Sequence, residues 1–298
     1  MKSKTLKSKS DRIIEAVMVG IVSLTVLAVL YPLYYVLIAS FSNPYDVYAG
    51  KTFFWVSEFT LEGYQRVFRE GAIVSGYLNS IFYTALGTVL TTALVLTTAY
   101  PLSRREMPGR TGIMLFYLIT MYFTGGLIPT YLVVAKTGLL NSVWALILPG
   151  GVSVFNVIVT RTYFETSIPK DLFEAAKIDG SGHLRTFVSM VLPLSRPIIA
   201  VMVVFAMVAF WNDWFTALIY MNSKDKYPLQ LALRQILIQS EASANALSGM
   251  DGGYAEANRI TELLKFSSMV VGAVPMLIFY PFVQKYFEKG LMVGAVKG

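Results

Sequence analysis

The stretch DLFEAAKIDGSGHLRTFVSMVLP, residues 171–193, is a water-compatible segment between two strongly apolar regions. Residues 172–177 favour a helix, Ser167 can cap its start, and Gly180 provides a left-handed stop. A second helix is expected from about His183 to the Leu-Pro pair at the end of the stretch. We therefore predict two short helices separated by a glycine-rich break.

The first of these helices carries an unusual surface for a water-facing loop. Leu172 and Ala176 form an i, i+4 pair, and Phe173 lies on the same flank. The small alanine keeps this face shallow, so that another backbone can approach it. Two interpretations stay open at this point. The helix packs on the ends of its own neighbouring helices, or it seats in a groove of a cytoplasmic partner, with Glu174 as a single anionic contact.

The composition of the chain indicates an α-helical membrane protein. Of its 298 residues, 55% are hydrophobic and only 14% are charged, and the mean hydropathy is +0.57. Soluble domains carry about a quarter charged residues. Cysteine is absent and there is one histidine, which excludes disulfides and a His/Cys metal site; we expect no metal site. In a membrane protein the net charge of +7 reports orientation rather than nucleic-acid binding.

Apolar runs long enough to cross about 30 Å of hydrocarbon predict an all-α, polytopic protein with six transmembrane helices. Their expected limits are Ile14–Ile38, Ile73–Leu102, Gly112–Val134, Val143–Tyr163, Pro197–Met221 and Lys265–Gln284.

The distribution of basic residues predicts the orientation. With both termini, the loop SRREMPGR and the quoted loop on one side, that side carries 16 of the 25 Lys and Arg residues. The positive-inside rule makes it cytoplasmic. The expected organisation is a cytoplasmic segment 1–12, a transmembrane domain 13–284 and a cytoplasmic tail 285–298. Within the domain lie a cytoplasmic loop 165–196 and two long outer loops, 41–72 and 222–264.

The quoted stretch resembles a known family motif. Glu174-Ala175-Ala176, Gly180 after three further residues, and Leu192-Pro193 in the same register are similar to the EAA motif of ATP-binding-cassette importer permeases, EAA-x3-G-x9-I-x-LP. Met190 replaces the isoleucine. The resemblance implies that this loop is the coupling helix of the family. The residues that it assigns to docking on an ATPase subunit are Leu172, Phe173, Glu174, Ala175, Ala176, Asp179 and Gly180.

Other stretches resemble one branch of this family, the carbohydrate-uptake permeases of the maltose-permease type. They include FWNDWFTAL in the fifth predicted span and FVQKYFEKGLMVGAVKG at the C-terminus. FTGGLIPTYLVVAKTGLLNSVWALILPG and IDGSGHLRTFVSMVLPLSRP are similar to the subgroup for complex polysaccharides and oligosaccharides. The resemblance covers nearly the whole chain.

The resemblance implies a type I ABC importer permease fold in a bacterial plasma membrane, working by alternating access. The implied partners are a second homologous permease, two cytoplasmic ATPase subunits and an extracellular solute-binding protein, with a carbohydrate as substrate and lipid around the spans. The chain itself is then a transport subunit, not an enzyme, and binds no cofactor. ATP and Mg²⁺ belong to the ATPase subunits.

The C-terminal tail is the second expected contact with the ATPase. The similar tail of maltose-type permeases reaches between the ATPase subunits, which points to Gly290, Gly294 and Lys297. A frayed terminus is the alternative, because glycine has little helix preference.

Two regions inside the membrane are candidates for the translocation pathway. Gly125, Gly126 and Pro129 weaken the third predicted span, and broken backbone is tolerated at depth only against protein or water. Tyr122 to Tyr131 therefore lies along the pathway or the partner interface, or else forms a packing kink. Other candidate polar or aromatic contacts are Asn79, Asn156, Trp211, Asn212 and Asp213. A structural role is the alternative for the Trp-Asn-Asp cluster.

Two other classes of protein stay open on the residues alone. An ion-coupled secondary transporter or channel would explain the spans but not the spacing of the motif. An integral membrane enzyme would need a catalytic constellation, which one histidine does not supply. The nearest approach to a phosphate-binding loop, Gly50-Lys51-Thr52, has Tyr45 where the motif needs glycine. We therefore expect ATP hydrolysis to occur on another chain.

Overall fold

The computed structural model describes residues 9–69, 71–246 and 253–295. Every regular element in these ranges is helical, and the only strand-like pairing within them is an isolated antiparallel bridge between Ser42 and Phe59. The chain divides into two compact units, one formed by residues 1–69 with 236–271 and the other by 70–235 with 272–298. The predicted all-α class is confirmed.

The first unit begins with a long apolar helix. Its elements are α1 (Lys9–Ser40), α2 (Pro44–Tyr48) and α3 (Glu62–Arg69), together with parts of the two last helices of the chain. No residue in the most apolar window of α1 is buried by the rest of the chain. A helix that is apolar all round and unburied by its own chain needs an apolar environment outside that chain.

The second unit holds most of the remaining helices. They are α4 (Gly71–Ser103), α5 (Arg110–Tyr122), α6 (Leu127–Lys136), α7 (Val143–Ile147), α8 (Val154–Ser167), α9 (Lys170–Ile178), α10 (His183–Thr186), α11 (Leu192–Leu194), α12 (Arg196–Trp211) and α13 (Phe215–Tyr220). A π-helical turn, Phe187–Val191, joins α10 to α11. Two long helices follow and extend into both units, α14 (Leu229–Ala246) and α15 (Gly253–Ala295).

The centre of the second unit is α4, which packs against α8 and α12. Small residues on α4 permit this close approach. A Cβ atom added to Gly87 would lie 2.7 Å from the Phe210 ring of α12, closer than carbon atoms approach without displacement. The main apolar cluster of this unit is built from α4, α8 and residues 187–202, with Phe164 and Val191 fully buried. It lies next to the segment that carries the quoted motif.

The number of candidate membrane spans is smaller than the predicted six. In the described residues, three helical stretches are long and apolar enough to cross a membrane, and two bent pairs raise the number to five. These stretches are Ser10–Ser40, Gly71–Ser103 and Ala255–Pro281, and the bent pairs are Arg110–Tyr122 with Leu127–Lys136 and His183–Leu194 with Arg196–Trp211. The prediction of six continuous helices is therefore not confirmed.

Three of the predicted spans are interrupted in the structure. The span expected over Gly112–Val134 is broken between α5 and α6, which bend by 112°, where two glycines reduce helix stability. The span expected over Val143–Tyr163 consists of the short α7 and α8, separated by residues 148–153, which again include two glycines. The fifth is divided between α12 and α13 at the Trp-Asn-Asp-Trp sequence.

The chain beyond residue 222 is more helical than the sequence suggested. Residues 229–246 and 253–264 of the predicted outer loop lie in α14 and α15, and Leu229, Leu231 and Leu233 are buried. The expected low helix preference of the tail is also corrected, because α15 continues to Ala295. Extending an existing helix avoids the cost of nucleation, so weak helix formers can be included at its end.

Candidate functional site

The motif helix α9 stands at the surface of its unit. It runs over Lys170–Ile178, and none of its residues is buried. Its N-cap is Pro169, with φ −58° and ψ 137°, so the prediction of a Ser167 cap was wrong. Ser167 instead ends α8, because the fixed φ of Pro169 and its effect on the residue before it separate the two helices there.

The C-terminal end of α9 is closed by two backbone hydrogen bonds. The Ser181 N–H donates to the Ala176 carbonyl at 2.9 Å, and the Gly180 N–H donates to the Lys177 carbonyl at 3.1 Å. This is the Schellman arrangement, and it requires a left-handed residue at Gly180, whose φ is +69°. The predicted glycine stop is confirmed. Asp179 is the C-cap residue and is exposed.

The Leu-Phe pair does not form one outward-facing flank. Leu172 is exposed, whereas Phe173 is half-buried and packs against the apolar cluster of its own unit. The Arg104 guanidinium carbon lies 3.5 Å from the centre of the Phe173 ring, a cation–π contact. The expectation of a common flank for Leu172 and Phe173 was wrong, because Phe173 lies under an arginine from the SRREMPGR loop. Phe173 thus anchors α9, while Glu174 and Ala175 stay exposed and Ala176 is half-buried.

Two exposed apolar residues extend the surface of α9 beyond the predicted set. Ile178 is 86% exposed, and Leu184, in the following α10, is 75% exposed. Sequence reasoning missed both. No local signal in the sequence predicted their exposure, which depends on how α10 leaves the end of α9. Together with Leu172, they are three exposed apolar residues in α9 and α10.

A groove of about 1000 Å³ lies behind α9, lined by that helix and by the ends of α4, α5 and α8. Its walls are fixed by polar contacts. Arg110 pairs with Glu165, Arg161 pairs with the same carboxylate at 3.1 Å, and the Arg110 Nε–H donates to the Leu102 carbonyl at 2.8 Å. These contacts join the start of α5 to the ends of α4 and α8. These contacts therefore hold together the three helix ends that line the groove with α9.

The second half of the motif leads from α10 into the π-turn. Met190, which replaces the family isoleucine, is half-buried against the same apolar cluster that Phe173 contacts, and Val191 beside it is fully buried. The predicted second helix from His183 to Pro193 is confirmed, with the difference that its middle is π-helical. The motif residues thus connect an exposed helix to the core in one continuous segment.

The Trp-Asn-Asp cluster between α12 and α13 makes local structural contacts. Trp211 is 3% exposed, and its indole N–H donates to the Gly272 carbonyl at 3.0 Å. The Asn212 side chain donates to the Val208 carbonyl at 2.9 Å. An Asp213 carboxylate oxygen accepts the Thr216 N–H at 3.0 Å, at the start of α13. These contacts favour the structural interpretation of the cluster over a sugar-binding one.

Asn79 also has a structural partner. Its side-chain amide donates to the carbonyls of Asp225 at 2.7 Å and Tyr227 at 3.1 Å, which holds α4 to the loop before α14. Asn141, which sequence reasoning missed, supports the same loop. It has a positive φ of 59°, and its side-chain oxygen accepts the N–H groups of residues 222 and 223 at 3.2 and 3.1 Å. An Asn at a turn that requires a left-handed backbone was the available signal.

Asn156 and Tyr122 differ from these residues in their surroundings. Asn156 is buried in α8, next to the Ser153 cap. Tyr122 ends α5 and is 74% exposed. The break that follows, residues 123–126, contains Gly126 with φ 84° and ψ 179°, a conformation that strongly favours glycine. The break is exposed over its whole length, so within the described residues it is not a kink packed against another helix.

The tail residues are described only in part. Gly290 and Gly294 lie in α15. Lys297 lies outside the described residues. Their predicted contact with an ATPase stays a prediction.

Comparisons with known proteins agree with the motif. Residues 4–293 match the family model for the binding-protein-dependent transport system inner membrane component. The chain is 39% identical over 288 residues to the polygalacturonan/rhamnogalacturonan transport system permease protein YtcP of Bacillus subtilis (strain 168). This alignment covers 97% of this chain and 99% of that protein. It is 38% identical over 279 residues to protein LplC of the same organism, covering 94% and 92%.

A solved structure shows the same fold. A chain of a bacterial ABC transporter involved in the import of the acidic polysaccharide alginate superposes with a TM-score of 0.80 at 30% identity. The match covers 95% of this chain and all of that one. The resemblance that the motif suggested is therefore confirmed along nearly the full length. The chain belongs to the family of binding-protein-dependent transport system inner membrane components.

Proposed function

We propose that this chain is the permease subunit of an ABC importer that takes up oligosaccharides or fragments of polysaccharides. The observation that carries the proposal is α9, an exposed helix with a closed end and exposed apolar residues, which bears the family motif. A helix that its own chain leaves uncovered, yet anchors through Phe173, is suited to transmit movement from a partner. The substrate class follows from the polygalacturonan/rhamnogalacturonan permease and the alginate importer.

In this proposal, α9 docks on a cytoplasmic ATPase subunit through Leu172, Glu174, Ala175 and Ala176, with Ile178 added from the structure. Phe173, Asp179 and Gly180 hold the docking surface in shape. The ATPase subunits bind ATP and Mg²⁺, and the tail, with Gly290, Gly294 and Lys297, reaches towards them. A solute-binding protein delivers the sugar on the other side of the membrane, and a second homologous permease completes the pathway.

The topology that fits this role has six crossings with both termini cytoplasmic. The crossings are α1, α4, the broken pair α5 and α6, the pair α7 and α8, the pair α12 and α13, and α15. A crossing built from two short helices is possible where the break between them faces protein or water, because unpaired backbone at membrane depth must do so. The exposed backbone at residues 123–126 meets this condition. Tyr122 and this break then line the pathway or the partner permease.

The test is reconstitution of the chain with its ATPase, its second permease and its binding protein in proteoliposomes. We expect ATP-dependent uptake of a pectin-type or alginate-type oligosaccharide. Glu174→Lys should leave the complex assembled but separate ATP hydrolysis from uptake, because it reverses the charge in the docking surface. Glu241→Lys makes the same charge change at an exposed position in α14, outside the groove behind α9, and should behave as the wild type. Uptake by the purified chain alone, without an ATPase, would refute the proposal and favour an ion-coupled transporter.

The tail contact is tested in the same system. Deleting residues 292–298 should change the basal or the stimulated ATPase rate of the assembled complex. An unchanged rate would indicate that the tail has no contact with the ATPase subunits.

A further inference from the structure

The loop that follows α2 ends in an exposed aromatic tip. Phe53, Phe54 and Trp55 are 59%, 61% and 83% exposed. At the base of the loop Thr52 is buried, and its hydroxyl donates to Ser57 Oγ at 3.3 Å. The loop is thus an ordered part of the first unit, with a closed base and an uncharged tip of three consecutive aromatic residues. The proposed function does not involve it. We call these three residues the aromatic tip.

The aromatic tip is held against α1 at a defined level. The Tyr31 hydroxyl donates to the Phe53 carbonyl at 3.4 Å, and the Tyr34 hydroxyl donates to the Phe54 carbonyl. The rings of Tyr31 and Phe54 are 5.8 Å apart. Side chains on a helix lean towards its N-terminus. The tip therefore lies no closer to the C-terminal end of α1 than these two tyrosines do. The loop has therefore folded back along the helix by six to nine residues from its end at Ser40.

Counting along α1 places this level in the membrane. Glu15 is the last charged residue of the helix. About 20 helical residues cross the hydrocarbon core, so a core that starts at Ala16 ends near Tyr35. Tyr31 and Tyr34 then lie at the boundary between acyl chains and headgroups, where aromatic side chains concentrate. The aromatic tip shares that boundary.

We infer that the aromatic tip is a membrane anchor that inserts into the lipid headgroup interface of the bilayer beside α1. Three features favour lipid as the occupant. The tip lies at the depth of the tyrosine belt, it is continuous with a helix whose apolar surface the chain leaves unburied, and it carries no charge. The cation that directly precedes the loop base in sequence, Lys51, pairs with Asp46 at 3.2 Å. In the topology proposed above, on which this assignment rests, the tip lies in the outer leaflet.

The test is the fluorescence of Trp55 in the assembled transporter in bilayers that contain brominated lipids. In a variant with Trp144, Trp211 and Trp214 changed to Phe, the emission of Trp55 is taken as the difference from the same complex that also carries Trp55→Phe, which removes the emission of the partner subunits. We expect strong loss of this emission with bromine near the headgroups and less with bromine near the chain ends. A variant that keeps only Trp211, which is buried, is the matched control and should lose little. If the triple variant fails to assemble, the difference between the wild type and Trp55→Phe gives the same measurement.

Two results would overturn the inference. Quenching of Trp55 by aqueous acrylamide but not by brominated lipid would place the tip in water. Protection from both quenchers would place it under a protein partner. Sugar uptake by the same preparation is measured separately, so a failure of the lipid contact is distinguishable from a failure of the proposed transport function.

Discussion

Replacing Gly180 tests whether the closed end of α9 is required for transport. Gly180 has φ +69°, and a Cβ atom at this position would meet no atom within 4 Å. The cost of a side chain is therefore conformational rather than steric. An L-residue in the left-handed region costs about 1–2 kcal/mol, and Asn less than Ala. Proline cannot adopt this φ and also removes the N–H that donates to the Lys177 carbonyl at 3.1 Å.

The magnitude follows from this cost. A loss of about 1–2 kcal/mol lowers the ratio of closed to frayed helix ends by a factor of about 5–30. We expect sugar uptake per ATP hydrolysed to fall in the order Gly, Asn, Ala, Pro at position 180. Gly182→Ser is the matched control. Gly182 lies two residues away as the N-cap of α10, with an ordinary φ of −69°, its added Cβ also meets no atom within 4 Å, and serine is favoured at an N-cap, so uptake should not change.

The assay is uptake and ATP hydrolysis in proteoliposomes that contain the assembled transporter. The amount of complex in the membrane and its melting temperature show whether each variant has assembled. If Gly180→Ala and Gly180→Pro assemble and couple ATP hydrolysis to uptake as the wild type does, the closed end of α9 has no mechanical role. An equal loss in Gly182→Ser would show that any added side chain disturbs the loop, which would also contradict the reasoning.

Two further predictions concern contacts outside the motif. Arg104→Ala removes the cation over the Phe173 ring, worth about 0.5–1 kcal/mol at a half-exposed site, and should lower coupled uptake by a few fold, whereas Arg105→Ala, at an exposed neighbour, should not. Hydrogen bonding from Arg259 lowers the pKa of Glu62 from 4.5 to about 2. The ionised carboxylate therefore stabilises the folded state above pH 4.5, and this stabilisation is lost as the pH falls towards 2. The excess stability of the wild type over Glu62→Gln, about 1 kcal/mol for a carboxylate that stays 33% exposed, should thus be constant from pH 7 to pH 5 and decline below it in thermal unfolding.

The part of the site that sequence could predict is the part specified by local backbone chemistry. Gly180 ends α9 because few other residues adopt its φ, and that requirement is visible in the order of residues. The direction of Phe173 was not predictable in the same way. It depends on Arg104, which lies in a different loop and approaches only when α4 and α8 have packed. Ile178 was missed for the related reason that its exposure depends on where α10 departs.

The membrane candidates show the same division between local and long-range effects. The glycines at 125 and 126 predicted a weak point in the helix, and the structure breaks there. Asn79 and Trp211, by contrast, were polar or amphipathic side chains with no visible partner in the sequence. Their partners, the carbonyls of residues 225 and 227 and of Gly272, are distant in the chain. Only the fold shows that these donors are already used.

Two of the unburied surfaces in the described residues make different demands on their surroundings. The surface of α1 is apolar, and the backbone groups along the middle of the helix are paired within it, so this surface can face lipid. The break between α5 and α6 cannot face lipid in this way. Within the described residues, the N–H groups of Thr124, Gly125 and Gly126 make no backbone hydrogen bond, and each unsatisfied group costs several kcal/mol in hydrocarbon. In the proposed topology, a water-filled pathway or the second permease lies against this break. We therefore expect α5 and α6, rather than the Trp-Asn-Asp cluster, to be the better place to look for the proposed pathway.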